Sequence, residues 1–350
     1  MADLHYALVV GINEYPDFPP SLHGPLNDAN GFARWLECSA GVPKGNIHVV
    51  AVTDAQSSTV DAKPNRIHIN DELLTIINQV KSKIATDPQR WPETRLYIYL
   101  SGHGVSPSAH EAALLMANVR RGMMGEAIPS GRYANFFIDS QFFAELVVFA
   151  DCCRTLQLDV DFAGPPFNLG GARYGNVKTF VGFATGFGDL AYEPSAEDQT
   201  DPDSTRGYFT KALLEGLSWA VDTANNEINS TSVAKYVRSR VEDLTRSKRK
   251  PQTPVMSADP ANPIVFKMGE GPALRNINIR FPSGFDGIVE LYDSSFNLKA
   301  RNPQAAGGHA WAIQLPDGLY EIRPADSVNG DRFASSGLFR VLGGGVDIQL

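Results

Sequence analysis

Two stretches decide how this chain reads: Arg95-Leu96-Tyr97-Ile98-Tyr99-Leu100-Ser101-Gly102-His103-Gly104 and Val147-Val148-Phe149-Ala150-Asp151-Cys152-Cys153-Arg154. Each is a short apolar run that leads straight into reactive side chains, the signature of a buried strand with chemistry at its end. Similar runs at Tyr6–Gly11, Ile47–Thr53, Thr179–Ala184 and Thr253–Met256 predict four further strands. Between them, apolar residues at helical spacing predict helices over Asn27–Cys38, Asn65–Ile84, Ile138–Leu146, Tyr208–Ala220 and Ser232–Arg246. The alternation predicts an α/β fold, a mostly parallel six-stranded sheet flanked by helices on both faces. In such sheets reactive groups gather beyond the carboxyl ends of the strands.

The pattern changes after Gly269-Glu270-Gly271-Pro272. Residues 270–350 show only two-residue alternation broken by turns such as Pro316-Asp317-Gly318 and Gly343-Gly344-Gly345. The expected organisation is therefore an α/β domain over residues 1–268 and a small all-β, sandwich-like accessory domain over 270–350. Leu156–Asn176 and Pro194–Arg206 are long for connections inside a compact domain and read as functional loops.

Composition narrows the function classes. The chain has 350 residues, with 31 Lys and Arg against 39 Asp and Glu, a net charge of −8. Nucleic-acid binding needs clustered positive charge, so none is expected. The one basic run, Arg246 to Lys250, reads as the solvated C-terminal end of a helix. No stretch approaches the roughly 18 apolar residues of a membrane helix, and the first residues lack the basic start of a secretion leader. Cys38, Cys152 and Cys153 are an odd count with two neighbours, which gives no disulfide framework and fits a reducing cytosol.

In a parallel sheet both strand ends point the same way, so His103 and the Cys152-Cys153 pair meet if their strands are neighbours. A nearby imidazole can take a thiol's proton and later protonate a leaving amine. Side chains alternate along a strand, so only one of the two cysteines can face His103. The glycines around His103 let backbone approach a substrate closely, and N–H groups there can hold an oxyanion. The other histidines have no metal-ligand spacing.

At these residues the chain resembles the caspase-like cysteine peptidases, closer to metacaspases and their bacterial relatives than to animal caspases. The motifs fall in the family's order over residues 5–266. Leu22-His23-Gly24-Pro25-Leu26-Asn27-Asp28-Ala29 is similar to the family's L-x-G-x-x-N-D-A. Ser101-Gly102-His103-Gly104 resembles its histidine motif, and Asp151-Cys152-Cys153 its D-x-C motif. Gly207-Tyr208-Phe209-Thr210 and Gln252-Thr253-Pro254 resemble its G-x-F-T helix and Q-x-P strand entry. His103 and Cys153 stand fifty residues apart, close to the caspase spacing.

The resemblance implies a cysteine endopeptidase acting on protein substrates. Cys153 is then the nucleophile and His103 the general acid and base. The backbone N–H groups of Gly104 and Cys153 form the oxyanion hole, and Cys152 is packing. Asp28 and Asp151, with Ser101 beside them, would line the S1 pocket. Two carboxylates there would hold Arg or Lys at P1 and repel Asp. Arg173 and Lys178 are candidate autocleavage sites, and an upstream protein is a candidate activator. Bacterial relatives act in defence or cell death. Arg154-Thr155-Leu156 departs from the family's H-S-G after the nucleophile. No cofactor or metal is expected; the acidic stretch Glu193, Glu197, Asp198, Asp201 and Asp203 is the sole calcium candidate and reads as a solvated loop. The alternatives are a silent scaffold that keeps the fold for binding, and a separase-like effector that needs a partner subunit.

Overall fold

Strands β1 (His5–Gly11), β2 (Ile47–Val50), β3 (Arg95–Gly102), β7 (Glu145–Cys152), β9 (Lys178–Phe183) and β12 (Val255–Ala258) form one sheet in the order β12-β9-β7-β3-β1-β2. Five run parallel, and β12 joins β9 antiparallel. The short strands β4 (Gly104–Ser106), β5 (Ala113–Leu115), β6 (Ala127–Pro129) and β8 (Thr155–Leu156) form a second sheet built from the chain that follows β3 and β7. Three further strands are β10 (Val221–Asp222), β11 (Glu227–Asn229) and β13 (Val265–Met268). The helices are α1 (Gly24–Cys38), α2 (Arg66–Thr86), α3 (Ser130–Ser140), α4 (Tyr208–Trp219) and α5 (Ser230–Leu244). The structure, a computed structural model, describes residues 2–18, 21–51, 60–168, 174–194, 205–222, 225–268, 274–293, 297–316, 318–325, 337–341 and 346–350.

The chain divides into two units, Met1–Ala220 with Ile228–Lys267, and Val221–Glu227 with Met268–Leu350. In the first, strand alternation sorts the core into two layers. Leu96, Ile98 and Leu100 of β3 and Leu146, Val148 and Ala150 of β7 pack with the apolar stripe of α2, Ile69, Leu73, Ile76 and Val80. Tyr97, Tyr99 and Phe149 face the other way. Phe32 of α1 stacks on Tyr99 with 4.6 Å between ring centroids, and Phe209 of α4 lies 6.4 Å from Phe149. Each sheet face therefore carries its own helices, as the strand–helix alternation predicts.

One predicted element lies elsewhere. The apolar spacing predicts a helix over Ile138–Leu146, but α3 ends at Ser140 and β7 starts at Glu145. Gln141 closes the helix in the left-handed conformation, φ 52°. Phe142 and Phe143, which supply the helical spacing, are core residues of the connection instead. The start of α3 has no cap of its own. The Glu111 carboxylate supplies one, accepting the N–H groups of Gly131 at 2.6 Å and Arg132 at 3.2 Å.

In the second unit, β14 (Arg275–Arg280), β17 (Ala310–Leu315) and β20 (Val346–Gln349) form one sheet, and β15 (Asp286–Asp293), β16 (Leu298–Ala306), β18 (Gly318–Pro324) and β19 (Leu338–Val341) another. Ile277, Ile279, Val289, Leu291 and Ile322 fill a common core, a sandwich-like arrangement. Tyr320 is part of that core and stacks on Phe339.

Replacing Glu111 by Ala removes the acceptor of the first N–H groups of α3, which are part-buried at Gly131 and Arg132. Urea unfolding is expected to show about 0.5–2 kcal/mol less stability, the usual cost of a lost cap. An unchanged midpoint would show that α3 does not depend on this carboxylate.

Candidate active site

The pairing of β3 with β7 sets the geometry. Ser101 is opposite Asp151 and Gly102 is opposite Cys152. His103 and Cys153 are the next residue on each strand, so the two chains leave the sheet side by side. Alternation then assigns sides. Ser101 and Asp151 lie on the α1/α4 face, and Cys152 lies on the α2 face, 2% exposed within the core. Cys153 is two residues beyond Asp151 and is partly exposed. Gly104 crosses directly over the cysteine pair: a Cβ at this position would land on Cys152 Sγ and would lie 2.7 Å from the carbonyl oxygen of Cys153.

Two carboxylates converge beneath this point. Asp28 of α1 is 1% exposed; it accepts Ser101 Oγ at 3.2 Å and the Gly207 N–H at 3.1 Å. Asp151 is 6% exposed and accepts both the N–H of Thr210, at 3.1 Å, and its hydroxyl, at 2.6 Å. These donors belong to the first turn of α4, where a carboxylate is electrostatically at home. They are neutral groups, and burial raises both acids. Asp28 is pushed well above the carboxylate range by burial and by the charge of Asp151, and Asp151 is pushed up to about 6 by burial. The Glu193 carboxylate adds to the raising of Asp151, while the charge of Arg206 draws Asp28 down.

The cysteine and histidine rest as neutral groups. Burial raises the Cys153 thiol and lowers the His103 imidazole, so neither is driven to charge. Cys153 Sγ donates to the carbonyl of Ala191 at 3.7 Å. Burial raises the Cys152 thiol far more strongly, which leaves it an inert core residue.

Sequence reasoning did not find the role of Arg154. This side chain is 1% exposed. Its guanidinium donates to the carbonyls of Ala109 at 2.6 Å, Glu111 at 3.1 Å and Thr185 at 3.2 Å, and it lies 4.6 Å from the Phe183 ring centre. The residue after Cys153 thus ties together the loops that follow β4 and β9. Its only sequence signal is the departure from the family's motif. Glu193 also has a specific place: it accepts the N–H groups of Gly24 at 2.7 Å and His23 at 3.3 Å, at the start of α1.

Among the predicted cleavage sites, Lys178 is the first residue of β9. Its N–H donates to Ala144 and its ammonium is 3.6 Å from Glu145, so a cut there would require β9 to leave β7. Arg173 lies outside the described residues, as do Glu197, Asp198, Asp201 and Asp203. Among the described residues no group of three or more His, Cys, Asp or Glu is arranged to hold a metal ion, and no helix is long and apolar enough to cross a membrane.

Comparison with known proteins places these motifs in context. A family model described as a caspase domain, of the C14 peptidases, matches residues 4–264. A protein from a Desulfuromonadales bacterium named "Probable protease" is 24% identical over 221 residues, which cover 61% of this chain. The match spans only 26% of that relative's own length. Among solved structures, caspase-1 from Spodoptera frugiperda aligns with 75% of this chain and 92% of its own, at 13% identity and a TM-score of 0.46.

Arg154→Met keeps the bulk and removes the guanidinium, taking away the donor to the buried Thr185 carbonyl, one of the two donors to the Glu111 carbonyl and the donor to the part-buried Ala109 carbonyl. Thermal unfolding is expected to show a loss of about 3 kcal/mol. Arg154→Lys is expected to recover less than half of it, because an ammonium cannot reproduce the planar fork. Full recovery by Lys would show that charge alone matters there.

Proposed function

Because the chain belongs to the caspase-domain family of peptidases, we propose that it is a cysteine endopeptidase that cleaves proteins after Arg or Lys. In this reading Cys153 Sγ attacks the scissile carbonyl while His103 takes the thiol proton. The oxyanion is held by the N–H groups of Cys153 and Gly104. His103 returns the proton to the leaving amine, and water hydrolyses the thioester with His103 again as base. The observation that carries the reading is the β3–β7 register, which delivers the histidine and the cysteine together from strands whose preceding residues, Ser101 and Asp151, flank Asp28.

Further features support it. Leu115 N–H donates to the His103 carbonyl, and β4 and β5 continue that register with Gly104 opposite Leu114. Hydrogen-bonded and non-bonded pairs alternate in an antiparallel ladder, so the Gly104 N–H points away from β5. A thiol and an imidazole that both rest neutral support a mechanism in which the proton moves during attack. The raised pair Asp28 and Asp151 supports a cationic P1 residue, since a guanidinium or ammonium would stabilise both charges and no carboxylate substrate would.

One contact favours a second reading, an effector that stays silent until an upstream protein or a cut acts on it. The Cys153 thiol is committed to the Ala191 carbonyl, whose segment is pinned to α1 through Glu193 and to Gln252 through the Tyr192 N–H at 2.8 Å. Releasing this segment would free the thiol. A cut after Arg173 is the proposed activating event within the chain.

Fluorogenic peptides ending in Arg, Lys or Asp test the reading. Cleavage after Arg or Lys is expected, lost in Cys153→Ala and in His103→Ala. Cleavage after Asp would overturn the pocket. Silence of every peptide, together with no labelling of Cys153 by a peptide electrophile, would favour the scaffold. The pH profile gives a second check. As pH falls through about 6, Asp151 gains a proton and the pocket loses negative charge, while a P1 Arg keeps its own. KM for Arg peptides is therefore expected to rise below about pH 6, by up to about tenfold per unit. The His103 imidazole, lowered by burial, stays a base further down. A flat KM across this range would separate Asp151 from P1 binding.

A further inference from the structure

Tyr15 follows β1 in the loop toward α1 and is 4% exposed. Its hydroxyl accepts the His103 N–H at 2.9 Å and donates to the Leu115 carbonyl at 3.2 Å. In the other direction the Leu115 N–H donates directly to the His103 carbonyl at 2.9 Å. His103 and Leu115 continue the register of β4 with β5, in which Gly104 is opposite Leu114 and Val105 opposite Ala113. Residues opposed in this way normally exchange both hydrogen bonds directly. Here a phenol is inserted into one of the two, and the strands are held apart at the histidine.

The ring completes the arrangement. Its centroid is 4.7 Å from that of the His103 imidazole, at an interplanar angle of 55°, and Phe18 stands on the same imidazole at 6.4 Å. Gly102 answers to the hydroxyl: its φ is +154°, and a Cβ there would land on the phenol oxygen. Burial keeps the phenol neutral, so it can donate and accept at once.

We propose that Tyr15 is a positioning residue for the catalytic imidazole: its hydroxyl fixes the backbone from which His103 projects, and its ring fixes the imidazole plane. The proposal rests on the reading of His103 as the general base. Without the hydroxyl, the part-buried His103 N–H and the buried Leu115 carbonyl would be left facing one another, unmet. They would close directly, drawing His103 toward β5 and away from Cys153. A displacement of about 1 Å at a reacting group can cost roughly a hundredfold in rate.

Tyr15→Phe is the direct test, with Gly102→Ala as a second variant that keeps the tyrosine and pushes on its hydroxyl. Both are first checked for a cooperative thermal transition. The expected kinetic result is a fall in kcat of roughly ten- to a hundredfold, with KM unchanged within about twofold. Alkylation of Cys153 by iodoacetamide needs no peptide substrate and separates the causes. At about pH 7 the thiol needs its base, and both variants are expected to react about tenfold more slowly than wild type. At about pH 10 much more thiolate forms without help, and the rates should converge. Slowing that is equal at both pH values would mean a distorted cysteine and would overturn the proposal, as would wild-type kcat and alkylation in Tyr15→Phe. If His103→Ala is alkylated at the wild-type rate near pH 7, the dyad itself falls and the role of Tyr15 with it. If His103→Ala is slow and Tyr15→Phe is fast, only the role of Tyr15 falls. Should neither variant fold, titration of the imidazole in wild type against Phe18→Leu decides whether the aromatic wall sets its environment; an unshifted titration would overturn that part.

Discussion

The site depends on one constraint, the parallel pairing of β3 with β7 in the register that sets Ser101 opposite Asp151. Strand side chains alternate, so this register distributes five residues in one step. Ser101 and Asp151 go to the face covered by α1 and α4, where Asp28 and Thr210 meet them. Cys152 goes to the opposite face and is sealed in the core. His103 and Cys153 emerge together past the sheet edge. A slip of one residue in β7 would bury Cys153 and turn Asp151 into an apolar layer. The apolar residues of both strands oppose that slip, because Leu146, Val148 and Ala150 would have to face α1 and α4 instead.

The electrostatics follow from burial more than from partners. Asp28 and Asp151 accept hydrogen bonds only from backbone N–H groups and hydroxyls among the contacts described above, and the pair is costly to charge. The cysteine and histidine obey the same rule with opposite signs: burial raises the thiol and lowers the imidazole, so neither is driven to charge.

Much of this was legible in the sequence because local patterns carry it. Apolar runs that end in Ser101-Gly102-His103-Gly104 and Asp151-Cys152-Cys153 state both the strands and the residues at their ends. Helix α3 was misplaced because Phe142 and Phe143 imitate helical spacing, and because its cap, Glu111, is about twenty residues away along the chain. Arg154 and Tyr15 were unreadable for a related reason. Their partners are main-chain atoms, the carbonyls of Ala109, Glu111 and Thr185 for the arginine and the His103 N–H and Leu115 carbonyl for the tyrosine. Every residue offers such atoms, so no spacing or residue type marks the ones that are used.

That choice of partners has a consequence for the site itself. The carbonyls and N–H groups around His103 and Cys153 lie in short connections with few ladder bonds of their own, β4, β5 and β8 among them. Buried backbone groups must be met by some donor or acceptor. Where a regular ladder cannot reach, a long side chain must. Arg154, beside Cys153, reaches three carbonyls in two loops, Glu111 reaches the start of α3, and Tyr15 reaches between His103 and Leu115. Each also ends a search for alternative conformations, because moving the loop would strand a polar group in the core at a cost of about 1–3 kcal/mol. His103 and Cys153 can therefore stand beyond the strand ends and still hold a fixed geometry.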